Sequence, residues 1–137
     1  MPSSNNAKSA PLDGAGGRFV FPKKARLKVR GEFDAVFKGG KKAVGKAFVI
    51  YARPNELGFN RLGLAVGKKA GNAVRRNRIK RMIREAFRLE TPSLPAGFDI
   101  VCIPRAGGFP DKTTDLIPLF RETFLRALDA IDKGKAR

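Results

Sequence analysis

A chain of 137 residues is long enough for one domain with one modest core and too short for two. Its 29 lysines and arginines against 12 aspartates and glutamates give a formal net charge of +17, an imbalance that opposes compaction unless an anion offsets it. A polyanionic partner is therefore expected: nucleic acid, an anionic membrane surface or an acidic protein. The membrane is the weakest of the three. No apolar run approaches the roughly 20 residues that span a bilayer, no hydrophobic signal core follows Met1 and no lipidation motif is present, so a soluble, cytoplasmic chain is expected. The single cysteine, Cys102, lies in the apolar run 98–103 (FDIVCI). That suits a small buried hydrophobe in a reducing compartment and excludes an internal disulfide framework and a cysteine-based zinc site.

Residues 1–17 are Ser, Asn, Ala, Gly and Pro with almost no large apolar side chain, and read as a disordered tail. Order is expected from near Phe19, with 18–137 forming a single RNA-binding domain. Phe33 and Phe37, four apart, mark one face of a short helix that ends at Gly39-Gly40. Strands are predicted over 46–53 (KAFVIYAR) and 61–67 (RLGLAVG), and the turn-rich link 54–58 (PNELG) suggests that they pair antiparallel.

Period-two alternation sends Phe48, Ile50, Ala52, Leu62, Leu64 and Val66 to one face. The opposite face carries Tyr51 and Arg53 beside Gly63, Ala65 and Gly67, a shallow trough for which the Phe33/Phe37 helix would supply a wall. From Asn72, a plausible N-cap, the period becomes helical: Ile79, Met82, Ile83, Ala86 and Phe87 form an apolar stripe that ends near Glu90, before Pro92. A third strand follows at 98–103. The last helix is expected to start at Asp115, which places Pro118 in its first turn, with an inward stripe of Ile117, Phe120, Phe124, Ala127, Leu128 and Ile131.

The helix 72–88 (NAVRRNRIKRMIREAFR) is the informative segment. At 100° per residue, Asn77, Arg81, Arg84 and Arg88 line up opposite the apolar stripe, flanked by Arg78, Lys80 and Glu85. An ordinary solvated helix opens with Asp or Glu and mixes its charges. Here Arg75, Arg76 and Arg78 crowd the positive end of the helix dipole, and Glu85 alone interrupts the basic run. A bound phosphate removes that cost, and arginine forks suit phosphate or a guanine edge. Catalytic sets are missing. With no histidine in the chain, histidine acid–base chemistry, a Ser-His-Asp triad and histidine metal sites are excluded. Glu32 and Asp34, the one close acidic pair noted, sit on different helix faces, so no protein-borne metal nuclease is expected. Tyr51 with Arg53 on the thinly covered face fits the stacking and phosphate pairing that hold single-stranded RNA.

The run from Gly71 to Arg81 (GNAVRRNRIKR), with Lys68-Lys69 before it and Ile83 to Arg88 (IREAFR) after it, closely resembles the Arg-Asn-Arg signature of the bacterial ribonuclease P protein subunit. The likeness extends through Arg26-Leu27, Glu32-Phe33, Val36-Phe37-Lys38, Phe48-Val49, Arg61-Leu62-Gly63 and Phe98-Asp99. It implies an α+β fold: a two-layer α/β sandwich with a left-handed βαβ crossover, its small mixed sheet packed by helices. It also implies a ribonucleoprotein subunit that helps a catalytic RNA remove the 5′ leader of precursor tRNA, with hydrolysis carried by that RNA and its bound Mg²⁺. The partners would then be the RNase P RNA and precursor tRNA. The candidate surface for the RNA subunit comprises Lys68, Lys69, Asn72, Arg75, Arg76, Asn77, Arg78, Lys80, Arg81, Arg84 and Arg88. That for the leader comprises Phe33, Phe37, Tyr51 and Arg53. The competing reading is a ribosomal or general RNA-packing protein that uses the same helix without substrate selectivity.

Overall fold

The computed structural model describes residues 25–105 and 107–135, so the expected tail and the ordered start near Phe19 lie outside the described residues. The elements run α1 (Arg30–Gly39), β1 (Lys41–Val44), β2 (Phe48–Pro54), β3 (Arg61–Leu64), α2 (Ala73–Glu90), β4 (Phe98–Pro104) and α3 (Thr113–Lys135), with short 3-10 turns at Lys68–Ala70 and Thr91–Ser93. The fold is α+β, a small mixed sheet packed by helices.

The strand order is β1-β2-β4-β3; β2 runs antiparallel to both neighbours, and β3 runs parallel to β4 through the crossover helix α2. This corrects the pairing expected from sequence. The strands at 48–54 and 61–64 do not touch as a hairpin, because β4 lies between them, with Cys102 opposite both Ile50 and Leu64. The physical reason lies in β4 itself: Asp99 to Cys102 are buried without a break, and a strand apolar on both faces is stable only at the centre of a sheet. The link after β2 holds Glu56 and Gly58 at φ 60° and 82°, the left-handed conformation of tight turns, yet it delivers β3 to the far side of β4. Strand β1, which sequence reading missed, is a four-residue edge with two lysines, a composition common where an edge must stay unpaired.

Alternation assigned the faces correctly. Phe48, Ile50, Ala52, Leu62, Ile100 and Cys102 join the α2 stripe and the inward face of α3 in the main core, where Phe120 and Phe124 are fully enclosed. On the reverse face a smaller cluster gathers Leu27, Val36 and Val101, with Phe33, Tyr51, Ala65 and Ile103 against it. Burial of Cys102 pushes its thiol pKa up, which keeps it neutral and inert.

Helix α3 begins two residues before the expected Asp115, which instead lies in the first turn; the Lys112 carbonyl accepts from the N–H groups of Asp115 and Leu116 at 3.1 and 3.2 Å. Pro118 is thus inside the helix, where its missing donor deprives only the exposed Thr114 carbonyl, which water can satisfy. Leu116, not Ile117, opens the inward stripe, in line with Phe120 and Phe124 at steps of four. No helix among the described residues is long and apolar enough to cross a membrane.

Candidate nucleic-acid interface

Helix α2 starts where Gly71, at φ 125°, turns the chain and Asn72 caps it, its Oδ1 accepting from the Arg75 N–H at 2.9 Å. Ile79, Met82, Ile83, Ala86 and Phe87 are buried as the periodicity requires, which fixes the opposite face outward. No acidic residue occupies the first turn.

The candidate RNA-contacting residues divide into three sets. Lys68, Lys69, Asn77 and Arg81 are exposed on the approach turn and outer face, where the likewise exposed Asn72 is held as the cap of α2. Arg76, Lys80 and Arg84 form a half-buried row at steps of four along one flank. Arg76 Nε is enclosed and meets no acceptor among the described residues. Burial, and then the charge of Arg26, push the Arg84 pKa down. Two guanidinium groups held near one another favour an incoming anion. The third set is already bonded within the protein: Arg75 Nε donates to the Ala70 carbonyl at 3.1 Å, Arg78 Nη2 to the Asp111 carbonyl at 2.6 Å, and Arg88 pairs with Glu85. The outer stripe expected from projection is therefore exposed at Asn77 and Arg81 but half-buried at Arg84 and Arg88.

The trough lies on the other sheet face, under α1. Its middle row reads Lys42, Tyr51, Val101 and Gly63 across the four strands, and the next row Val44, Val49 and Ile103. Gly63 is not empty space: a Cβ there would stand 2.8 Å from the Phe33 ring, so the glycine admits Phe33 onto the sheet. Phe33 is thereby half-buried packing. Phe37 is the open aromatic, meeting Tyr51 edge to face at 4.9 Å between centroids and 37% exposed. Arg53 is exposed and its Nε lies 3.2 Å from where a Gly39 Cβ would be, along the C-terminal end of α1. Lys42, beside Tyr51, escaped sequence reading because the edge strand that carries it did.

One end of the trough is closed by an ionic network that sequence also hid. Arg61 forks onto Asp99, Nε to Oδ1 and Nη2 to Oδ2 both at 2.7 Å, and its Nη1 reaches Glu32 Oε2 at 3.1 Å. Glu32 also accepts from the N–H groups of Lys28 and Val29 at 2.9 and 3.2 Å, which caps α1. The wall of the trough is thus tied to its floor.

The sequence profile of the family described as Ribonuclease P matches residues 21–127. The chain belongs to the ribonuclease P protein family. A Ribonuclease P protein component of Thermotoga maritima is 46% identical over 85 residues, 62% of this chain and 73% of that one. One from Lachnoclostridium phytofermentans is 48% identical over 81 residues, 59% and 70% of the two chains. Among solved structures, the Staphylococcus aureus RNase P protein superposes with a TM-score of 0.67 at 35% identity, covering 75% of this chain and 94% of that one. The RNase P protein of Thermotoga maritima gives 0.59 at 38% identity, covering 74% and 92%. As a ribonuclease P protein component, the chain is part of an endoribonuclease ribonucleoprotein of tRNA processing, and membership implies RNase P RNA as its partner.

Proposed function

We propose that α2 seats this protein on the RNase P RNA while the trough holds the single-stranded 5′ leader of precursor tRNA, so that the complex matures the tRNA 5′ end. The observation that carries this reading is the placement of the two surfaces: α2 packs on the core face of the sheet, and the Phe37–Tyr51 pair sits on the reverse face. Both RNAs can therefore be held at once. Lys68, Lys69, Asn77 and Arg81 reach phosphates from the outer face of α2, and Arg76, Lys80 and Arg84 from its flank. Asn72, Arg75, Arg78 and Arg88 are held by bonds within the protein and orient that surface. In the trough Phe37 and Tyr51 stack on leader bases, Arg53 pairs with a phosphate, and Phe33 supports the aromatic wall. Mg²⁺ and the cleavage chemistry are assigned to the RNA. Among the described residues no group of three or more His, Cys, Asp or Glu comes together.

Reconstitution tests the reading: with a bacterial RNase P RNA at limiting Mg²⁺, the protein is expected to accelerate leader release at the mature 5′ end over RNA alone. Tight but purely salt-governed binding without acceleration would instead mark a general RNA-packing protein. Within the assembled complex, Phe37→Ala or Tyr51→Ala is expected to weaken precursor tRNA by about 1–3 kcal/mol per lost base stack and leave mature tRNA unchanged. Equal losses for both would remove the leader from the trough.

A further inference from the structure

Beside α2, on the flank away from Arg84, lies a cleft of about 260 Å³ lined by Arg78, Arg81, Met82, Glu85, Asp111 and Thr113. Two of these, Asp111 in the bend before α3 and Thr113 at its first position, lie outside the basic motif. Clefts for drug-sized ligands hold roughly 300–1,000 Å³, so this one has room for a single flat group. Its walls specify the kind. Met82, a core residue 7% exposed, lends the cleft an apolar and polarizable edge against which a ring can rest. Arg78 is tethered through Nη2 to the Asp111 carbonyl, so its planar guanidinium is fixed in advance of any ligand.

Glu85 decides between a phosphate and a base. It is the one acid between Asn72 and Arg88, and a carboxylate in the wall repels a phosphate. A carboxylate offers about four acceptor positions, and the pair with Arg88 uses one. An arginine donor beside a carboxylate acceptor matches guanine, whose N1–H and N2–H₂ face an acceptor pair while O6 and N7 accept from arginine. Adenine and uracil lack the adjacent donors, and a base within a helix cannot enter a cleft at all.

We propose that this cleft takes one unpaired guanine of the bound RNA, laid against Met82, with O6 and N7 met by the tethered Arg78 and the N1–H and N2–H₂ edge read by Glu85. The proposal rests on the reading of α2 as an RNA-binding helix and gives the one acid of its basic stretch 72–88 a role in specificity.

The test titrates the full-length protein with RNA hairpins that carry a single bulged G, A, C or U, or no bulge. The unsubstituted protein is expected to bind the guanine bulge roughly tenfold more tightly than the others, within the range of one good bidentate base contact. Glu85→Gln, at a half-exposed position, is expected to abolish that preference while the fully paired hairpin binds as well or slightly better, since a negative charge has gone. If Glu85 only moderates the charge of its helix, Glu85→Gln will tighten every hairpin alike, and the proposal fails. It fails equally if the unsubstituted protein does not distinguish the bulges, or if Glu85→Gln keeps the guanine preference. Failure to bind any hairpin would overturn the RNA-binding reading itself, a result distinguishable from loss of base preference.

Discussion

Asp99→Ala is expected to cost about 3–5 kcal/mol of folding stability, the range for breaking one side of an enclosed ion pair, read as a drop in urea midpoint at unchanged m-value. The Asp99 side chain is 5% exposed and accepts the Arg61 fork and the Asn55 amide, the latter at 2.8 Å. Its removal takes the acceptor from Arg61 Nε and Nη2 and from one Asn55 amide bond, leaving Arg61 only Glu32 and the Asn55 amide N–H₂ only the Phe59 carbonyl. Burial pushes the Asp99 pKa up, but the bonds from Arg61 and Asn55 and the charges of Arg61 and Arg53 outweigh it and hold the carboxyl below its ordinary value. Glu32 is lowered too, first by the Lys28 N–H, with burial opposing and Val29 and Arg61 adding. A folded pKa below the unfolded one means that the unfolded chain binds more protons in acid. This stabilisation is therefore complete above the unfolded carboxylate range, near pH 4, and is lost as pH falls through the folded values. Asp99→Asn should flatten stability against pH below about 4, and an unchanged slope would assign the acid sensitivity elsewhere. Since Glu32 shares the network, the same changes should loosen α1 and weaken leader binding with it.

The second large effect concerns salt. If six or more cations of α2 and its approach turn meet phosphates, affinity for the RNase P RNA should fall about a thousandfold or more between 50 and 200 mM salt. Each phosphate contact adds about 0.7–0.9 to the slope of log affinity against log salt, so Arg81→Ala with Arg84→Ala should reduce it by about 1.4–1.8. The pair tests both faces of the helix, the exposed one at Arg81 and the flank at Arg84. A slope unmoved by the double substitution would return these arginines to an ordinary solvated surface.

What sequence made legible was local. The stripe from Ile79 to Phe87, the Asn72 cap and the end of α2 at Glu90 follow from helical period and capping chemistry, and all three are present. The alternation of Phe48, Ile50 and Ala52 against Tyr51 and Arg53 likewise follows from strand geometry, whatever strand lies alongside. Pairing was not legible. The turn-rich link after Pro54 looks like a hairpin, whereas the true partner of β2 lies beyond a whole helix, and nothing near residue 50 encodes that. The trough was legible as a row of small residues, yet its filling by Phe33 depends on how α1 crosses Gly63, a tertiary fact. For the same reason the Arg61–Asp99–Glu32 network and the cleft at Asp111 could not be found from spacing, since their members meet only in the folded chain.

Of the two inner strands, β4 is also the last strand made among the described residues. Until residues 98–104 exist, β3 has only the isolated parallel bridge to Arg26 beside it and β2 has only the short edge β1. A nascent chain emerging from its N-terminus therefore displays the whole of α2 before the surface that will receive the apolar side of that helix is complete. Its arginines repel one another throughout that interval, and the first polyanion encountered can neutralise them. That repulsion is an electrostatic cost which an anion can offset while the sheet is still open.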